Sequence, residues 1–194
     1  MIALLASLVL ALAAIPPGIT LTPEGQEEAR ASLTLEERLD ERLAALAAAS
    51  SESQGETIAD EVRSIWRQSG GATASLLLDR AEQAIAERDL ETAQRAYAHL
   101  RILEPDFAEG WMAAGQLAMA RGDWSFALDA LTEAVNLEPR RFDAYALLGR
   151  TLERASEPAA ALAAYEEALR VHPWHPQARQ ARARLENQLA GRAL

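Results

Sequence analysis

The 194-residue chain has no cysteine and no lysine. Without thiols there is no disulfide framework, thiolate catalysis, cysteine zinc site or iron–sulfur ligation, and no cysteine to acylate as in bacterial lipoproteins. Without lysine, all 19 basic side chains are arginines. Aromatic residues amount to only 5% and β-branched residues are scarce, which argues against a strand-built core. Basic charge is in short supply too: the net charge is −10, the wrong sign for a general nucleic-acid binder.

What the chain has in excess is alanine, 43 residues of it, within a 49% hydrophobic composition. Alanine is the strongest helix former, so the expectation is a nearly all-helical protein. A charged fraction of 25% and plentiful leucine exclude wholesale disorder. The length suits one ordinary domain or one short repeat array.

The one long apolar run lies at the start. Ile2 to Ile15 carries no charge and breaks at Pro16-Pro17-Gly18. Fourteen helical residues rise about 21 Å, short of the ~30 Å hydrocarbon core. The length matches a signal-peptide apolar region, with Ala11-Leu12-Ala13 supplying small residues for cleavage, although no arginine precedes the run. The expectation is a signal peptide over 1–14 and a mature protein exported to a bacterial periplasm. The alternative is an uncleaved inner-membrane anchor. Residues 15–33 read as an acidic linker.

A 34-residue period dominates the rest. Pro105, Pro139 and Pro173 keep it, and so do Ala93, Ala127 and Ala161, and Ala81, Gly115 and Gly149. Tyr97, Leu131 and Tyr165 form a bulky column, Leu77, Trp111 and Tyr145 another, and Asp89, Asp123 and Glu157 an acidic one. Each unit reads as two helices. The acidic column falls at the start of the second helix, where a carboxylate accepts from free N–H groups; in the third unit Ser156 is the expected cap, ahead of Pro158. Asp106 with Glu109 has the spacing of a capping box. Small residues on the first helix let the second approach closely.

This pattern resembles the tetratricopeptide repeat (TPR) family, most clearly where Trp111, Gly115, Ala127, Ala134 and Pro139 stand together. With the N-terminal apolar run, the chain is similar to small exported bacterial TPR proteins of unassigned role. The resemblance implies a right-handed α-solenoid, with repeats over 74–107, 108–141 and 142–175. Before them, 34–73 reads as a degenerate TPR-like helical pair docked on the first repeat. It opens with a capping box, Thr34 and Glu37, and carries a stripe of Ile58, Val62, Ile65 and Trp66. After them, 176–194 reads as a capping helix with Ala178, Ala181 and Leu185 on its narrow apolar face, as the end of a solenoid needs.

Catalytic signals are missing. His172 and His175 stand three apart, but Pro173 and Pro176 prevent helical presentation and no third ligand is nearby, so they read as a repeat-to-cap turn. No phosphate loop, nucleophile elbow or dinucleotide fingerprint occurs. The expectation is a non-enzyme with no cofactor, no metal and no nucleic-acid partner.

The resemblance implies that the first helices line a groove for an extended or helical segment of a partner protein. The expected groove residues are Leu78, Glu82, Ile85, Glu109, Met112, Gln116, Met119, Asp143, Arg150 and Glu153. The alternative is that the N-terminal pair or neighbouring helices cover part of that set. Chaperone-tail-binding TPR proteins grip a terminal carboxylate with Lys, Asn and Arg. Here lysine is missing, and Glu82, Ala113 and Leu147 occupy corresponding places, so that subtype is excluded. The functional expectation is a binding module, an adaptor or assembly factor. The alternative is a membrane-anchored scaffold of an envelope complex.

Overall fold

The computed structural model describes residues 33–192. The expected signal peptide lies outside them, as does the linker up to residue 32. Among the described residues there are nine helices and no strand. An N-terminal pair, α1 (Leu35–Ala47) and α2 (Glu52–Gln68), precedes three repeats: α3 (Gly71–Ala86) with α4 (Leu90–Leu103), α5 (Ala108–Arg121) with α6 (Trp124–Leu137), and α7 (Phe142–Arg154) with α8 (Pro158–Val171). Helix α9 (Pro176–Arg192) ends the array. No helix of the described residues is long and apolar enough to cross a membrane.

The close-approach columns work through contact across each pair. A methyl group on Gly115 would lie 2.9 Å from Leu131 Cγ, and one on Gly149 would lie 2.9 Å from the Tyr165 ring. Ala81, the first member of the column, is fully buried. Ala93, Ala127, Ala134, Ala161 and Ala168 are fully buried as well, so alanine sets the spacing of the layers.

Asp89 accepts a hydrogen bond from the Thr92 N–H at 3.0 Å and Asp123 one from Phe126 at 3.2 Å, each capping its second helix. The third unit departs from expectation. Glu157 holds the cap position without a side-chain bond, and Ser156 sits at φ +64°. The reason is the turn itself: Arg88 (φ +62°), Gly122 (φ +79°) and Ser156 stand 34 apart and all adopt left-handed backbone. Ser156 is committed to that turn and cannot also be the extended cap residue. The Asp106–Glu109 capping box does not form either. Phe107 takes the cap position of α5 with no side-chain cap bond, and Glu109 turns to Arg141.

The N-terminal pair forms its own capping box at Thr34 and Glu37, as expected. Its docking is different. Leu39, Ile58, Val62, Ile65 and Trp66 share one core with Phe142 and Leu169 of the third repeat and with Ala178 and Leu185 of α9. Two features redirect it. The left-handed Gly71 (φ +72°) turns the chain back between α2 and α3, and Arg140 draws in α1 through Asp40 (2.7 Å) and Glu36 (3.0 Å). The first repeat accordingly keeps Leu76 in solvent, 68% exposed.

Candidate functional site

Helix α2 crosses the N-terminal ends of the first helices. Near its start, Gly55 packs on the His172 ring and on Trp174, where a side chain would clash at 2.9 Å. Toward its C-terminal end, Trp66 lies 5.5 Å from the Phe142 ring and the Arg63 guanidinium 5.2 Å from the same ring. At its end, Gly70 abuts the Phe107 ring, and Arg67 reaches back to Asp79 (2.8 Å) and Glu82 on α3. Phe107, Phe142 and His175 lead into α5, α7 and α9, so α2 runs along the row of inter-repeat turns. The Trp174 indole N–H donates to the Ala49 carbonyl at 2.7 Å, tying the α1–α2 loop to the same row.

Arg141 is the centre of this arrangement, with a side chain only 1% exposed. It donates to Glu109 at 2.7 Å and to Asp143 at 2.9 Å, and its guanidinium faces Trp66 at 4.6 Å. Burial disfavours the charged form of Arg141, but the two carboxylates outweigh it and raise its pKa. Burial likewise pushes the Asp143 carboxyl up, and Arg141 more than reverses that. Arg141 and Asp143 therefore hold each other in their charged forms.

Beside it lie two buried imidazoles. His172 Nε2 is 3.3 Å from the Glu56 carboxylate, and His175 Nδ1 accepts the Ala178 N–H at 3.3 Å, capping α9. Phe142 stacks edge-on against both rings, at 5.1 and 6.0 Å. Burial pushes His172 below its ordinary value, and burial with the neighbouring His172 pushes His175 down to about 4. Both serve the turn between α8 and α9 in their neutral forms.

Beneath α2, a pocket of about 380 Å³ opens between α5, α7 and α9. Met112, Gln116, Asp143 and Arg150 of the expected groove set meet there, joined by Arg63, Leu147, Tyr165 and His175. Much of that set is engaged in packing or in ion pairs. Leu78 is 1% exposed inside the first repeat's core, because it points at α4 rather than outward. Met112 and Met119, 9% and 6% exposed, are packing residues and not an adaptable surface; their sulfurs receive Arg141 (3.3 Å) and Arg150 (3.7 Å). Glu82 pairs with Arg67, Glu109 with Arg141, and Glu153 with Arg184 of α9 and the Tyr165 hydroxyl. Ile85 is exposed on the last turn of α3, away from the pocket. Gln116 and Arg150 remain exposed, and Arg150 has no ion-pair partner among the described residues. Sequence reasoning missed Arg63 because it reaches the pocket only through the return of α2, and it took His175, which enters from the start of α9, for a turn residue alone. Tyr165 was legible in the bulky column, as packing.

The tetratricopeptide repeat family profile matches residues 142–185, the third repeat and most of α9. The fold is that of tetratricopeptide repeats, and residues 142–185 match the family itself. A TPR repeat-containing protein of Rhizobium etli is 29% identical over 165 residues, covering 85% of this chain and 81% of that protein. The cytochrome c-type biogenesis protein CcmH of Escherichia coli is 36% identical over 98 residues, covering 48% of this chain but only 28% of CcmH. Among solved structures, the first TPR domain of Spaghetti bound to an HSP90 peptide superposes with a TM-score of 0.58 at 17% identity, over 61% of this chain and 94% of that domain. That likeness bears on the fold alone.

Proposed function

We propose that this protein is a non-catalytic interaction module of the bacterial envelope, an adaptor or assembly factor that holds an extended or helical segment of a partner protein. The observation that carries this reading is the pocket under α2, where Arg150 and Gln116 stand exposed beside Leu147 and above buried Met112. An unpaired guanidinium next to apolar surface suits a segment with a carboxylate flanked by aliphatic side chains. The rigid helical walls limit the ordering cost of binding. The TPR domain of Spaghetti, which holds a peptide, supports segment binding, and the partial likeness to a cytochrome c-type biogenesis protein supports an assembly role in the envelope. Export through residues 1–14 fits the same compartment.

The test is affinity capture from envelope extracts with the wild type and with Arg150→Glu/Gln116→Glu, both checked for helix content. The reading expects a specific partner whose recovery falls roughly tenfold or more in the variant, as loss of a charge-assisted contact would give. Equal recovery by both, with intact helices, would remove the pocket from the proposal.

A further inference from the structure

Helices α2 and α3 are separated by two residues, and both already have helical backbone: Ser69 at φ −67°, ψ −20° and Gly70 at φ −80°, ψ −2°. The departure is confined to Gly71, at φ +72°. Returning that one residue to the ordinary helical φ would fuse α2 and α3 into a single helix roughly 50 Å long. The α1–α2 hairpin would then swing clear of its own repeats. A Cβ added to Gly71 as it stands would meet nothing within 4 Å, so a substitution there acts through the φ preference alone.

The hairpin's docking contacts are remote in sequence. Asp40 and Glu36 reach Arg140 across 100 and 104 positions, Glu56 reaches His172 across 116, and Ala49 receives Trp174 across 125. None of these contacts depends on which copy of the chain supplies the hairpin. An opened monomer would expose Trp66, Val62, Ile65 and Phe142, all now buried, so the opened form needs a replacement surface. A second copy offers an identical one, already complementary in charge and shape.

We propose that two copies of this chain exchange their α1–α2 hairpins about Gly71, each hairpin docking on the other copy's α7, α8 and α9 through the residues it uses at home. The exchange keeps every hairpin contact, including Arg67 with Asp79 and Glu82, now between copies. Dilution favours the closed monomer, because the tethered hairpin is always near its own site. Concentration and a straightened hinge favour the dimer.

The experiment uses the full chain and light scattering over a concentration series. Gly71→Ala penalises the left-handed hinge and favours a continuous helix, so the dimer dissociation constant falls roughly tenfold or more. Inserting Gly-Ser-Gly after Gly70 relaxes the turn and shifts the chain to monomer. Pairing is then read by mixing Arg140→Glu with Glu36→Arg/Asp40→Arg: only the mixed dimer places opposite charges at both exchanged sites, so mixed dimers predominate. A Gly71→Ala chain that stays monomeric throughout, or a dimer with no preference for mixed pairing, overturns the proposal. If Gly71→Ala loses its helix content, the comparison of wild type with the insertion decides. More dimer in the wild type supports exchange, and equal amounts overturn it.

Discussion

The Arg141 guanidinium faces the Trp66 ring at 4.6 Å while Glu109 and Asp143 hold it from other directions, so one side chain joins α2, α5 and α7. Removing that charge strands two largely buried carboxylates. Arg141→Met is expected to lower unfolding free energy by about 3–5 kcal/mol, the usual cost of breaking a buried ion pair from one side. Adding Glu109→Gln and Asp143→Asn should recover a substantial part of it. Urea unfolding followed by far-UV circular dichroism reads both. A loss below about 1 kcal/mol in the single variant would show that the cluster does not form.

Acid should loosen the same region. His172 and His175 both titrate below the ordinary imidazole value when folded, His175 at about 4. Between about pH 6.5 and 4 the unfolded chain therefore binds more protons than the folded one, and stability falls as pH falls through that window. Above pH 7 both rings are neutral in either state and contribute no slope. The groups that face them are Glu56 and Arg63 from α2 and Asp143 from α7; the carboxylates favour protonation and Arg63 opposes it. Urea unfolding at pH 5 and pH 7.5 should show a loss at pH 5 that shrinks in His172→Gln/His175→Asn, since asparagine can still accept the Ala178 N–H. An equal loss in wild type and variant would assign the acid response to other groups.

The left-handed turns make a third prediction. Arg88 and Ser156 occupy backbone that glycine adopts freely, as Gly122 does in the middle repeat. Ser156→Gly and Arg88→Gly are each expected to be neutral to stabilising, by up to about 1 kcal/mol, while Gly122→Ala costs about 1 kcal/mol. Thermal melts of the three single variants check the signs. Destabilisation by both glycine substitutions would mean that the turns are not left-handed.

How much of this was legible beforehand follows from the range of the interactions involved. The repeats could be read because their determinants are local and recur: Gly115 needs Leu131 sixteen residues on, and Gly149 needs Tyr165 at the same distance. The docking of the N-terminal pair could not, since it rests on Glu36 finding Arg140 and Gly55 finding His172, contacts with no period to reveal them. That also explains the mixed fate of the groove residues. Gln116 and Arg150 were placed by the repeat pattern and stand in the pocket, whereas Glu109 and Asp143 were placed by the same pattern and then claimed by Arg141 beneath α2. Leu78 failed for a local reason, because helical position alone did not separate the face toward α4 from the open one.

The central claim is that α2 returns across the repeats, and a double-mutant cycle between Trp66 and Phe142 tests it most directly. Trp66→Leu, Phe142→Leu and the double variant are compared by urea unfolding at pH 7.5. Rings in contact at 5.5 Å should be coupled by about 0.5–1.5 kcal/mol. Additivity within about 0.3 kcal/mol would contradict the account, and would put the N-terminal pair somewhere other than on the third repeat.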